Sequence, residues 1–262
     1  MSSSTSFGTG AMGTSSLGSV PFSDAKDLID QVLRATGHAN PEDETTKRAQ
    51  ILVFLNNRYQ QVCMGTYWRW MKAQYSFNLN APYTTGTVST VKGDATVTGT
   101  DTVFSSNLTP KNMFWLTGQN VPYYISSVTD STNLELETKY SEDSATDSTY
   151  TAVQNQYKMP KEVDQLLSVN VNGTTKVELV GPDDISLLMS RDPVRVGVPR
   201  YAAFVRRDTD DDSTYIQFYP APDKMYNVEL QYTVRIYSLN DAEDCTPILP
   251  DRYRSVLFYG AA

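Results

Sequence analysis

The sequence predicts an α+β protein: an antiparallel helical bundle with an inserted small all-β domain, barrel or sandwich, and additional β-hairpins. Three observations predict it. Apolar residues recur at helical spacing near both ends of the 262-residue chain. Residues 82–157 instead alternate with period two, and 25 of these 76 positions are Ser or Thr. From Lys158 onward the pattern is mixed, with hairpin signals and a short helix. The expected division is an extended N-terminal arm at 1–21, a helical and α+β core at 22–81 and 158–262, and the inserted β domain at 82–157.

The elements follow in order. Fourteen of residues 1–21 are Gly, Ser or Thr and none is charged, so the arm buries too little apolar surface to offset its own ordering entropy. It is expected to order only against a partner, with Phe7 and Met12 filling pockets. A first helix is expected from about Ser23, as cap, to Thr36, with Leu28, Ile29, Val32 and Leu33 on one stripe and Gly37 as its stop. A second starts near Asn40-Pro41 and continues an apolar face through Ile51, Leu52, Leu55, Tyr59, Val62 and Cys63, with Arg58 on the other side. Tyr67-Trp68-Arg69-Trp70 then leads into a strand-like stretch at 74–79. Trp68 and Trp70 are expected to pack helix against sheet or to fill an interface.

Within the β region, strands are expected at 87–91, 95–98, 113–117, 123–128, 133–136 and 150–157. Beyond it, strands at 166–171 and 175–180 flank Asn172-Gly173, a strong two-residue hairpin signal. Pro182 opens a short helix, and Arg191–Pro199 reads as a loop. Strands at 201–207 and 215–219 flank an Asp-rich turn, and a long strand follows at 228–237. Pro250 starts a terminal helix carrying Tyr253, Val256, Leu257 and Gly260. This helix runs only about three turns, and the native helix is expected to continue.

Several function classes are disfavoured. Hydrophobic residues are 40% and charged residues 20%, enough to bury a core. No apolar run nears the ~18 residues of a membrane helix, and the N-terminus lacks the pattern of a secretory signal. A net charge of -8 argues against a grip on nucleic acid, which needs clustered Lys and Arg. The single histidine, His38, removes most triads and multi-histidine metal sites, and Cys63 and Cys245 give neither a disulfide framework nor zinc spacing. Asp208, Asp210, Asp211 and Asp212 fail as a calcium loop, because Ser213 and Tyr219 stand where Gly and Glu are needed. No phosphate-binding glycine loop is present. The residues point to no catalytic site, no cofactor and no metal, although carboxylate chemistry is not excluded.

The β region reads GTVSTVKGDATVTGTDTVFSSNL, then NMFWL, YYISSVTDSTNLELETKY and TYTAVQNQY. This resembles a small β module of tailed-bacteriophage structural proteins, whose first hairpin ends in a Thr-x-Phe signature, here Thr102-Val103-Phe104. The flanks LNNRYQQVC with Trp68-Arg69-Trp70, YKMPKEVDQLLSV, Gly197-x-Pro199, IQFYPAPD and LPDRYRSVLFYGAA resemble phage head-to-tail adaptor (connector) proteins over roughly residues 24–262.

The resemblance implies a structural virion protein of the tail or neck region, assembled in the host cytoplasm. It implies a ring, usually of twelve copies, joining the capsid portal protein to a tail tube or nozzle protein. DNA would pass through the channel without specific binding, and no membrane is involved. Phe7, Met12, Trp68, Trp70 and Tyr253 are the expected interface residues. The Ser/Thr-rich β region alternatively suggests a tail-fibre or receptor-binding component, which the two N-terminal amphipathic helices oppose. A carbohydrate-active virion enzyme would need paired carboxylates in a cleft.

Overall fold

The computed structural model describes residues 24–38, 40–41, 44–66, 68–207, 213–242 and 245–261. The chain divides into two compact units, Met1–Met71 with Ile236–Ala262, and Lys72–Arg235.

The first unit carries helices α1 (Ala25–Ala35), α2 (Thr45–Met64) and α5 (Asp251–Ala261). The Asp24 carboxylate caps α1 by accepting from the Asp27 amide at 2.8 Å. The expected cap, Ser23, lies outside the described residues. Leu28, Ile29 and Leu33 of α1 meet Leu55, Tyr59 and Cys63 of α2 and Leu257 of α5 in one buried core. Arg58 departs from its expected outward position: its side chain lies over Gly260 of α5. Residues 236–250 lace this core to the chain. Asn56 exchanges two hydrogen bonds with the Leu239 backbone, and the Tyr59 hydroxyl accepts from the Ile248 amide.

Arg48 is the charged centre of this unit and is 7% exposed. Its guanidinium is bidentate on Asp241, with Nε to Oδ2 at 2.6 Å and Nη2 to Oδ1 at 2.5 Å, and also reaches Asp30 of α1 and the Pro41 carbonyl. One side chain thus ties α1, α2 and the 236–242 segment together. The Arg48 hydrogen bonds hold the Asp241 carboxyl below its usual range.

The second unit contains two seven-stranded sheets and a parallel two-stranded ladder of β12 (Val196–Gly197) and β15 (Ala221–Pro222). In the first, the strand order is β1 (Lys72–Leu79), β16 (Tyr226–Val234), β10 (Val163–Val171), β11 (Thr175–Leu179), β13 (Tyr201–Arg207), β14 (Thr214–Tyr219) and β9 (Gln156–Lys158). All neighbours are antiparallel except β11 and β13, which are parallel and joined through α4 (Pro182–Arg191). Asn172 and Gly173 turn the β10–β11 hairpin with φ of 51° and 68°, the doubly positive geometry that the Asn-Gly pair predicts. Val169, Val171, Ile216, Phe218, Val228 and Leu230 fill this sheet's core.

The second sheet runs β7 (Ala145–Ser148), β2 (Thr87–Thr90), β3 (Thr96–Thr100), β6 (Asn133–Leu136), β5 (Tyr123–Val128), β4 (Met113–Leu116) and β8 (Tyr150–Val153), all antiparallel. A four-residue helix, α3 (Phe104–Asn107), follows β3. Phe104, Phe114, Ile125, Leu134 and Tyr150 form its own core. The strand expected at 150–157 is two strands. It breaks at Gln154-Asn155, where the chain passes from β8 in one sheet to β9 in the other. A separate cluster of Met113, Trp115 and Val153 with Ala221 joins this sheet to the rest of the unit.

The architecture overturns the expected antiparallel helical bundle with an inserted β domain. Of the described residues 36% are in strands, against five short helices, so the fold is mostly β. The physical reason is pairing at long range. The hairpins expected as additions to a helical core are instead joined by β1 and β16 into a sheet with its own apolar interior, and that sheet is the larger structure.

Candidate functional site

Trp68, Trp70 and Tyr253, expected as interface residues, are brought together in the first unit. The chain leaves α2 at Gly65 and makes a short helical turn at Arg69–Met71. The Trp68 indole N–H donates to the Val62 carbonyl at 2.7 Å, which satisfies one of the last carbonyls of α2. The two indole rings stack with centroids 6.0 Å apart and planes 22° from parallel. Pro250 precedes α5, and Tyr253 and Val256 of that helix line the same groove as the indoles.

Together with Val62, Leu249, Gly65, Gln61 and Thr66 these side chains line a groove of about 360 Å³, with no charged residue among the described ones that line it. Tyr253 is 41% and Val256 37% exposed. The Arg252 guanidinium sits 4.7 Å from the Tyr253 ring centre, within cation–π range. Phe7 and Met12, the other expected interface residues, lie outside the described residues, as does the whole arm at 1–21.

A second concavity, of about 270 Å³, lies in the second unit between the end of α4 and the start of β13. Arg191, Arg195 and Arg200 line it beside Tyr201 and Tyr219, and the Tyr219 hydroxyl donates to the Asp192 carbonyl at 3.2 Å. Among the described residues, none of the three arginines is in an ion pair. Reading 191–199 only as a loop missed this cluster. The signal was present as three arginines within ten residues of a chain whose net charge is -8.

The other chemistry-bearing residues resolve as follows. His38 is half-buried in the α1–α2 connection, with Nδ1 3.2 Å from Glu44, and Lys47 3.2 Å from Nε2. The Cys63 thiol is pushed up to about 12 by burial and so is a poor nucleophile. Asp208, Asp210, Asp211 and Asp212 lie outside the described residues. Among the described residues no three His, Cys, Asp or Glu side chains converge as a metal site, and no helix is long and apolar enough to cross a membrane.

No curated protein matches the chain. A profile of the SU10 adaptor protein family matches residues 116–262, from the last residue of β4 through α5. The match takes in the β5–β6 hairpin, the arginine concavity, and the α5 side of the tryptophan groove. It covers more than half of the sequence, and the chain therefore belongs to the SU10 adaptor protein family, a family of phage structural proteins.

Proposed function

We propose that copies of this chain assemble into a closed ring, of twelve subunits as the resemblance implies, which joins the capsid portal to the tail tube or nozzle in the neck of a phage virion. Phage genomic DNA passes through the ring, and the net charge of -8 disfavours any lasting hold on its phosphates. Assembly takes place in the host cytoplasm. The chain acts as a structural joint and not as a hydrolase.

The observation that carries the reading, beside family membership, is the apolar surface left on the helices. Val53 and Phe54 in α2 are 59% and 58% exposed, Met64 at its end 73%, and Tyr259 in α5 78%. Large apolar side chains left exposed on two packed helices suit cover by a neighbouring subunit in an assembly. A closed ring needs two different surfaces on each copy that fit each other head to tail. The helical face and the arginine concavity are two chemically distinct surfaces of the chain.

Light scattering and negative-stain imaging of the purified chain, alone and with portal protein, test the proposal. A ring that binds portal supports it. Trimers without portal affinity support a fibre component and overturn it, as would sustained hydrolysis of a polysaccharide or nucleic acid abolished by one Asp or Glu substitution.

A further inference from the structure

The tryptophan groove has an occupant written into the same sequence. We propose that it is the docking site of the chain's own N-terminal segment, residues 1–22, with Phe7 and Met12 seated against Trp68, Trp70 and Tyr253. This does not rest on ring formation.

The first argument is charge. None of the described residues lining the groove is charged, and residues 1–23 carry no charged side chain, so all 52 Asp, Glu, Lys and Arg lie beyond them. A charged segment laid on this groove would lose hydration against a described lining that carries no charge, with Arg252 engaged on the Tyr253 ring, whereas an uncharged one escapes that cost. The second argument is composition. Phe7, Met12 and Leu17 are separated by Gly, Ser and Thr, which supply little but backbone. Gln61 and Thr66 at the groove provide polar groups for that backbone, while the indoles and Tyr253 provide apolar and aromatic surface for Phe7 and for the Met12 thioether.

The third argument is reach. The described chain starts at Asp24, which caps α1 in the same unit as the groove. Met12 to Asp24 spans about 40 Å when extended, more than the ~30 Å length of α2. The groove is therefore within reach of its own chain. A tether of this length holds the segment at an effective concentration on the order of millimolar, so even modest intrinsic affinity keeps the groove filled.

The test uses the full chain and compares it with the Phe7→Ser, Met12→Ser double variant. Trp115 is 7% exposed, so acrylamide quenching reports chiefly on Trp68 and Trp70. The variant should show a quenching constant at least about twofold larger. Peptide 1–22 added to the variant should restore shielding, and the same peptide with both serines should not. Val256→Asp, at a partly exposed groove position, should raise quenching equally while leaving the helical circular dichroism intact. Equal quenching in wild type and double variant overturns the proposal. So does shielding that grows with protein concentration alike in both, because the occupant is then the body of a second copy.

Discussion

Gly99 of β3 stands where a side chain cannot fit. A Cβ there would lie 2.3 Å from Thr102 Oγ1 and 2.9 Å from a ring carbon of Phe104. Both neighbours are pinned. Thr102 Oγ1 and the Phe104 amide each donate to the Ser131 carbonyl at 2.9 Å, and the Gly99 amide donates to the Thr132 carbonyl at 2.6 Å. The Thr-x-Phe signature is therefore a clasp from the β2–β3 hairpin onto the β5–β6 turn. That turn is held in its own right by Asp130, whose carboxylate accepts from Asn133 and Thr132 and titrates at about 2. Gly99→Ala should destabilise the second sheet by about 1–3 kcal/mol through overpacking, seen as a lower urea midpoint at unchanged slope. The signature was legible in the sequence as text. Its mechanism was not, because the partner carbonyl lies about thirty residues away.

Arg48 belongs to the same scale and was not legible at all, since a lone arginine in a polar helical turn reads as solvated surface. Arg48→Ala leaves Asp241 and Asp30 without their cation and should cost about 3 kcal/mol, measured as a loss of helical thermal stability. The Asp241 carboxyl has a folded pKa below its unfolded value. Its contribution is therefore complete above the unfolded value of about 3.9 and is lost as pH falls through the lower folded value. Stability of wild type should drop below about pH 4, and that of Asp241→Asn should start lower at neutral pH and drop less in the same window.

Among the elements, those written as local periodicity were the most legible. α1 and α2 carry their apolar stripes, Asn172-Gly173 turns its hairpin, and β5 and β6 fall where alternation placed them. The break at Gln154-Asn155 was hidden because residues on both sides alternate in phase with strand geometry, and only the change of sheet interrupts them. At this crossing the Asn80 amide donates to the Tyr157 hydroxyl at 3.0 Å, Asn80 Nδ2 donates to Gln154 at 2.8 Å, and Tyr83 bridges Ala152. The chain thus leaves the first sheet after β1 and rejoins it at β9 through adjacent points. We propose on this ground that 82–157, although part of the second unit, is able to fold by itself. The excised segment should unfold cooperatively in urea, at a lower midpoint than in the parent because Met113, Trp115 and Val153 lose Ala221 as cover. Non-cooperative unfolding of the excised segment would show that it depends on the first sheet.

For the whole molecule, the balance of helix and strand was misread because the deciding contact joins distant text. β1 and β16 pair residue by residue from Lys72 with Thr233 to Leu79 with Tyr226, and no window of a dozen residues contains both partners. Of the expected interface, Trp68, Trp70 and Tyr253 could be picked out as aromatics at helix ends. That they share one groove depends on α5 returning to α2 after the whole second unit, which again is a property of topology.

The β1–β16 pairing also sets an order of events during folding. Met71 and Ile236 are separated by about 160 residues, and bringing such distant points together from an open chain carries a large loop-closure entropy. Once Lys72 lies opposite Thr233, that closure is already complete, and α5 finds α2 at the cost of a short loop. The helical core should therefore form last. A nascent chain would hold its adhesive helices apart until the sheet is finished, and the apolar surface of α2 and α5 would come into register only on a subunit whose body is already sound.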